Sequence, residues 1–340
     1  IPTQFSDRQD CAGGTVTRYL ITGGTGSLGK ALIHKLLSLN PNNEIIVFSR
    51  DEGKQALSFG NNPGIIRVIG DIRDFQKLNV TMKRHKPQMV IHTAALKRID
   101  DMEFHPDECV KTNIMGSENV ARAALLNGVE KCILISTDKA CQPVNVYGSS
   151  KFIAERCFTN YDYHSETTIF ASVRYGNVIA SRGSFIPLWL SLLANGQKIK
   201  VTSTDMSRFL FTLEDAVDTV LGALENAQGG EVFIPQICSY DMNTIIAAVA
   251  QMHGSPVEYD LIGLRPGEKL HEDMLAATEL PFTYKVPGIN LLSVRPQYTK
   301  RLFRADWEDY RGPEFNSALH MSNDVEELVA LIQRGLEDAN

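Results

Sequence analysis

From Arg18 onward, short apolar runs alternate with stretches of helical periodicity. Tyr19-Leu20-Ile21 reads as a buried strand, and residues 30–39, with Leu32, Leu36 and Leu39 on one face, read as a helix. The strand signal recurs at 44–49 (EIIVFS), 65–69 (IIRVI), 89–93 (MVIHT), 132–136 (CILIS) and 168–173 (TIFASV). Residues 110–126 have the spacing of a helix rich in small side chains. Continuous β-branched runs separated by helices predict an α/β fold: a doubly wound parallel sheet, covered on both faces and joined by right-handed crossovers. After about residue 180 the rhythm breaks. Residues 185–193 predict a helix, and Thr212-Leu-Glu-Asp215 resembles a capping box that opens a helix through Asn226. Residues 231–235 predict one more strand, which could return to the sheet, and short helices with Pro/Gly turns follow. The predicted layout is a sheet domain over 18–178 and a smaller mixed α/β cap over 179–340. A flexible N-terminal segment, 1–17, stands outside the fold.

Composition narrows this picture. At ~150 residues per domain, 340 residues suit two units. Hydrophobic residues at 43% and charged residues at 22% are ordinary globular usage, which excludes a disordered chain, a collagen or a disulfide scaffold. A net charge of −6 argues against nucleic acid, because phosphate neutralisation needs a basic face. It leaves room for a local basic pocket. The cysteines at 11, 109, 132, 141, 157 and 238 form no C-x-x-C and no zinc spacing with histidine, so they read as reduced thiols in a cytoplasmic protein without a metal. The longest apolar stretch, 185–194 (FIPLWLSLLA), is too short to span a bilayer.

The turn after the first strand is Thr22-Gly23-Gly24-Thr25-Gly26-Ser27-Leu28-Gly29. It satisfies G-x-G-x-x-G and G-x-x-G-x-x-G, and it lies between a strand and a helix, the context that gives the motif meaning. Such glycines let the backbone approach a pyrophosphate, and the helix N-terminus adds donors and positive potential. This makes the predicted sheet a Rossmann-type dinucleotide-binding fold. The ribose is read at the tip of the second strand, ~20 residues on. There the chain offers Ser49, Arg50, Asp51 and, shortly after, Lys54. Arg50 suits a 2′-phosphate, which favours NADP. Asp51 would serve NAD instead if the strand ended one residue later. Asp71 and Ile72 fall where the adenine edge should lie.

The fifth strand runs into Ser136-Thr137-Asp138-Lys139, and Tyr147-Gly-Ser-Ser-Lys151 follows. Tyr147 and Lys151 share one helix face at this spacing. An ammonium nearby lowers a phenol's pKa from ~10, and the same lysine can hold the nicotinamide ribose. Together these residues can take a proton from a carbinol while hydride leaves for NADP. His92 reads as a packed histidine. Cys141 reads as a bystander, because no histidine adjoins to activate it.

Five runs carry a closer resemblance: Ala94-Ala95-Leu96-Lys97, 136–151 (STDKACQPVNVYGSSK), 173–184 (VRYGNVIASRGS), 205–209 (DMSRF) and 263–272 (GLRPGEKLHE). The chain resembles the extended short-chain dehydrogenase/reductases, and specifically the inverting UDP-N-acetylglucosamine 4,6-dehydratases. The likeness covers roughly residues 18–280 and, more loosely, the tail. It implies a UDP-sugar substrate and a tightly bound, recycled NADP. In the implied reaction Tyr147 takes the C4 hydroxyl proton and Lys139, if neutral, removes the acidified C5 proton. Burial or neighbouring cations would supply that neutrality. Asp138 protonates the departing C6 hydroxyl, and Thr137 orients Tyr147 or the sugar. The resemblance further places Ala94 and Val178 to Arg182 along the cofactor. Lys97 would face the nicotinamide or the sugar. Asn177 and Phe185 lie on the substrate side, Arg208 and Arg265 clamp the diphosphate, and Glu268 meets the uridine ribose. It also implies a homo-oligomer, dimer or hexamer, paired through 110–127 and 147–160. The alternatives are a C5-retaining dehydratase, a UDP-HexNAc 4-epimerase or, from another class, a non-catalytic NADP-binding scaffold. Asp138-Lys139 favours elimination over epimerisation, and the intact Tyr147/Lys151 pair disfavours the scaffold.

Overall fold

A computed structural model describes residues 16–179, 181 and 183–338. Of the N-terminal segment, residues 1–15 lie outside them. The apolar runs form β1 (Arg18–Thr22), β2 (Glu44–Ser49), β3 (Ile65–Ile69), β4 (Met89–His92), β5 (Lys131–Ile135) and β6 (Ile169–Val173). They lie parallel in the order β3-β2-β1-β4-β5-β6. Between them run α1 (Ser27–Leu39), α2 (Glu52–Phe59), α3 (Phe75–His85), α4 (Ile99–Phe104), α5 (Pro106–Cys109), α6 (Gly116–Leu126) and α7 (Val146–His164). Neighbouring strand residues point to opposite faces. Ile21, Ile45, Val47, Ile91 and Ile133 pack with Leu32, Ile33 and Leu36 of α1. Leu20, Ile46, Phe48, Val90 and Leu134 pack with Leu78 and Met82 of α3, Val120 of α6 and Phe158 of α7. Burial on both faces explains why β1, β2, β4, β5 and β6 show no polar alternation, whereas β3, at the sheet edge, is only partly covered. Strand order reverses between β1 and β4, so the loops leaving their carboxyl ends diverge and open a crevice.

The predicted helix at 110–126 is not one α-helix. Residues Val110–Met115 form a π-helical segment, and α6 starts only at Gly116. The widened turn carries Asn113 inward, where its amide bonds the Leu96 backbone in both directions, at 2.8 and 2.9 Å, and the Ser150 hydroxyl at 3.0 Å. Insertions of this kind re-aim a side chain.

The second half contributes β7 (Asn177–Val178), α8 (Phe185–Ala194), β8 (Ile199–Val201), β9 (Ser207–Phe211), α9 (Leu213–Asn226), β10 (Val232–Pro235), β11 (Ser239–Asp241), α10 (Met242–His253), β12 (Tyr259–Leu261), β13 (Asp273–Leu275), β14 (Thr283–Lys285), β15 (Leu291–Val294), β16 (Glu308–Asp309), β17 (Phe315–Asn316) and α11 (Val325–Glu337). The Thr212–Asp215 capping box is present in both directions. β10 joins the large sheet parallel to β6, and β15, β14 and β16 extend it antiparallel to ten strands. The sequence pointed only to the first of these. α9 covers the same sheet face as α1, through Val217 and Val220. The remaining helices build a separate core from Ile186 and Trp189 of α8, Ile245 and Val249 of α10, and Leu328 and Ile332 of α11. No helix among the described residues is long and apolar enough to cross a membrane.

A buried ion cluster ties the halves together. Arg174, at the end of β6, and Glu155 of α7 are both fully buried. The guanidinium donates to both Glu155 oxygens, at 3.2 and 2.7 Å, to both Glu279 oxygens, at 2.9 and 3.1 Å, and to the Met274 carbonyl at 2.8 Å. Ser136, just beyond β5, donates its hydroxyl to Glu155 at 2.5 Å. Removing one member of a buried pair strands the other charge. Arg174→Met should therefore cost about 3–5 kcal/mol of unfolding free energy, read from urea titrations. A loss below ~1 kcal/mol, the size of an exposed pair, would contradict this account.

Candidate active site

The site is assembled at the carboxyl ends of β1, β2, β4 and β5. α1 starts at Ser27, inside the glycine motif, with Gly26 as its N-cap. Gly23 has φ of 69°, and a Cβ there would lie 2.8 Å from the Ala94 backbone. A Cβ at Gly29 would lie 2.6 Å from Gly24 Cα. Only glycine allows turn, helix and β4 loop to pack this closely. Thr25 lies in the turn, and Ser27 and Leu28 open α1, whose N-terminal N–H groups face the switch-point crevice. That cradle fits a dinucleotide diphosphate.

β2 ends at Ser49, as predicted. Gln55 holds Ser49 through its hydroxyl at 2.9 Å and its carbonyl at 3.0 Å. Asp51 caps α2, accepting from the Lys54 N–H at 2.9 Å and pairing with the Lys54 ammonium at 3.0 Å. Its carboxylate therefore serves the chain, while Arg50 is exposed at the tip. Partial burial pushes Asp71 up, but hydrogen bonds and charge from Arg73, with a smaller contribution from Arg50, hold it below the usual carboxylate range. Ile72 is buried against α6, where a Cβ at Gly116 would lie 2.7 Å from it. Lys97 is exposed on the loop after β4, next to the Leu96 that Asn113 holds.

Asp138 and Lys139 lie in a tight turn (Asp138–Ala140) that follows β5. The Asp138 N–H donates to the Tyr175 carbonyl at 2.9 Å, and its side chain is fully buried. Asn145 caps α7, accepting from the Gly148 N–H at 2.7 Å, and its amide reaches the Gly267 carbonyl at 2.7 Å. Tyr147 therefore stands in the first turn of α7 and Lys151 one turn later. A Cβ at Gly148 would collide with the Lys139 carbonyl, so glycine lets α7 rest directly on the turn. Lys139 Nζ lies 3.1 Å from Asp138 Oδ1, 3.3 Å from Glu272 Oε1 and 3.4 Å from Asn177 Oδ1. Asp138 Oδ1 also accepts from the Thr137 hydroxyl at 2.8 Å.

Two electrostatic expectations are corrected here. Burial pushes the Lys139 ammonium down, as expected, but the Asp138 and Glu272 carboxylates outweigh it and hold the group above the ordinary lysine range. Arg208 opposes them more weakly. Lys139 is thus cationic, not neutral. Burial also pushes the Tyr147 phenol up to about 12. The charge that pulls it back is that of Lys139, opposed by Asp138, with a smaller lowering contribution from the Thr137 side chain. Lys151 is not among the main influences on the phenol. Burial brings its own ammonium down to about 8, against the pull of Glu155.

The remaining predicted residues have mixed placements. Asn177 and Val178 form β7, with Val178 paired to Phe211. Phe185 opens α8 and packs edge-on to Trp189 at 5.0 Å. Arg208 is buried and donates to the carbonyls of Ser207, Lys269 and Leu270 at 2.7, 3.1 and 3.0 Å, which pins the 263–272 loop. Arg265 pairs with Glu268 and, at 3.1 Å, with Asp100. Burial raises Glu268, but Arg265 first and Arg208 second hold it below its usual range. Arg182 lies outside the described residues. His92 is buried between the Thr22 hydroxyl at 2.6 Å and the Ser117 hydroxyl at 3.0 Å, and burial pushes it down to about 3. Cys141 is buried, and burial raises its thiol.

Residues without a role in the sequence reading prove central. Asn145 carried the usual signal, an asparagine just before a helix. Glu155 lies one helical turn beyond Lys151 on the same face. Asn113, Arg174 and Glu279 gave no local sign. Glu272 closes the 263–272 run but shows nothing there of its contact with Lys139.

A glycine cradle at the switch point, a Tyr-Lys helix and a buried Asp-Lys pair define a nucleotide-sugar dehydratase or epimerase of the short-chain dehydrogenase/reductase kind. The chain belongs to the polysaccharide biosynthesis protein family, whose model matches residues 19–293. It is 44% identical over 279 residues to a UDP-N-acetylglucosamine 4,6-dehydratase (inverting) of Campylobacter jejuni, covering 81% of this chain and 82% of that one. A UDP-glucose 4-epimerase of Rickettsia massiliae is 39% identical over 269 residues, covering 77% and 78%. The solved structure of Pen from Bacillus thuringiensis superposes with a TM-score of 0.84 at 33% identity, covering 94% and 97%.

Proposed function

We propose that this protein is a C5-inverting UDP-N-acetylglucosamine 4,6-dehydratase that uses bound NADP. The observation that carries the reading is the buried contact of Lys139 with Asp138, 3.1 Å, beside an intact Tyr147/Lys151 helix. An epimerase has no C5–C6 elimination to perform and no use for such a pair.

Bound nicotinamide dinucleotide supplies hydride acceptance at C4 and return at C6. Tyr147 takes the C4 hydroxyl proton, aided by the positive end of α7 and by Lys139. The resulting ketone acidifies C5. The ion pair then works as a proton-balanced unit. When desolvated by substrate, Lys139 passes a proton to Asp138 across their contact, leaving an amine and an acid. The amine takes the C5 proton, the acid protonates the departing C6 hydroxyl, and water leaves. The ion pair is restored, and C5 finally takes a solvent-derived proton on its opposite face, which balances the proton that Tyr147 removed from the C4 hydroxyl. Asn177 helps to orient the amine, and Arg265 with Arg208 and Glu268 forms the charged wall offered to the UDP moiety. Exposed Val110, Met115, Phe152 and Ile153 support a homo-oligomer paired through 110–127 and 147–160.

Incubation with UDP-N-acetylglucosamine in deuterated water should give a 4-keto-6-deoxy product with deuterium at an inverted C5, followed by NMR. Retained C5 protium, or no loss of water, would overturn the reading. Lys139→Ala should lower dehydration by about 10²-fold or more while the cofactor stays bound. For NADP, Arg50→Ala should weaken binding by about tenfold to a hundredfold, the loss of one charge-assisted contact, and leave NAD affinity unchanged in calorimetric titration. Equal weakening of both cofactors would contradict the choice of NADP.

A further inference from the structure

We propose that Glu272 is a positioning residue for Lys139. Its carboxylate, brought in from the C-terminal half, fixes the amine against Asp138 and stabilises the ammonium that forms when the C5 proton arrives. This rests on the reading of Lys139 as the C5 base.

Glu272 is 2% exposed, and a buried carboxylate persists only when paired. Among the described residues its one ion pair is with Lys139, at 3.3 Å, and its second oxygen, Oε2, has no hydrogen-bond partner. Its backbone is mounted rigidly. The Glu272 N–H donates to the Ser317 hydroxyl at 2.8 Å, and the Ser317 N–H returns to the Glu272 carbonyl at 2.8 Å. Ser317 in turn meets the Ser207 hydroxyl at 2.7 Å, and the next residues enter the β13–β17 pair. Lysine has a flexible four-carbon stem. Asp138, its sequence neighbour, gives it one point of attachment, and Glu272 and Asn177 add two from distant segments. The groups facing the amine are Asp138 from the turn, Tyr147 from α7, Asn177 from β7, Arg208 from β9 and Glu272. Two carboxylates thus oppose one amine, with Arg208 as the countering cation. A carboxylate that orients a base and stabilises its protonated form plays the part of aspartate beside histidine in a hydrolase triad.

The test is Glu272→Gln, which keeps shape and removes charge. Lys139 is titrated directly by competitive acetic anhydride labelling and peptide mass spectrometry, a readout independent of turnover. Loss of the anion destabilises the ammonium, so the Lys139 midpoint should fall by about one to three pH units. The rising limb of C5 hydrogen–deuterium exchange against pH should move down with it, to a lower plateau. Glu272→Asp keeps the charge and should titrate closer to wild type than Gln does. A Lys139 midpoint unchanged in Glu272→Gln, or an Asp variant that titrates like Gln, overturns the proposal. If the wild type fails to dehydrate UDP-N-acetylglucosamine, the functional reading falls, and the labelling still decides whether Glu272 governs Lys139.

Discussion

Arg174 carries a full charge into the interior, and the architecture around the site follows from the need to answer it. Glu155 meets it from α7, Glu279 from the segment after β13, and the Met274 carbonyl completes the set. Ser136 shares Glu155, so the end of β5 is held in the same group. The next residues in the chain are Thr137, Asp138 and Lys139. Position along β5, the axial placement of α7 and the approach of the C-terminal half are thereby fixed by one guanidinium. Such a group need not add much net stability over an apolar replacement. Its effect is geometric, because partial disengagement of any member leaves an unpaired buried charge.

On that base the chain mounts a second charged group with a different balance. One ammonium lies between two carboxylates, each of which keeps an oxygen without a hydrogen bond among the described residues, Asp138 Oδ2 and Glu272 Oε2. Unanswered buried oxygens are costly, and they are the positions at which a sugar hydroxyl would be welcome. The phenol of Tyr147 is raised to about 12 in this state. Lys139 and Tyr147 therefore both rest protonated. In the proposed reaction the bound sugar changes this local field, and exclusion of water protects the oxidised 4-keto intermediate.

Local chemistry was legible and long-range chemistry was not. β1 to β6 could be read because each is a short, mainly apolar run, and the glycine turn could be read because strand and helix flank it. Asp138, Lys139, Tyr147 and Lys151 lie within one short run that feeds a single turn and helix, so their proximity follows from the sequence. The raised Lys139 owes most to Asp138, its neighbour in sequence, but the added pull of Glu272 could not be read, because that carboxylate reaches the amine only through the β13–β17 pairing. The 110–115 segment kept helical spacing while its backbone widened, since periodicity does not register one inserted residue. β14, β15 and β16 are only two to four residues long, and Pro/Gly turns around them mask the alternation that identifies a strand. Asp51 was ambiguous in sequence and is settled locally as a helix cap by its bonds to Lys54.

The central claim is that Tyr147 works at C4 while Asp138 and Lys139 work together at C5 and C6. The most direct measurement is a crystal structure of the Tyr147→Phe variant with NADP and UDP-N-acetylglucosamine, in which the substrate stays intact. The account predicts the Lys139 amine within hydrogen-bonding reach of the C5 position, Asp138 at the C6 hydroxyl and the edge of the substituted ring at C4. A sugar bound with C5 and C6 turned away from the Asp138–Lys139 pair would contradict it.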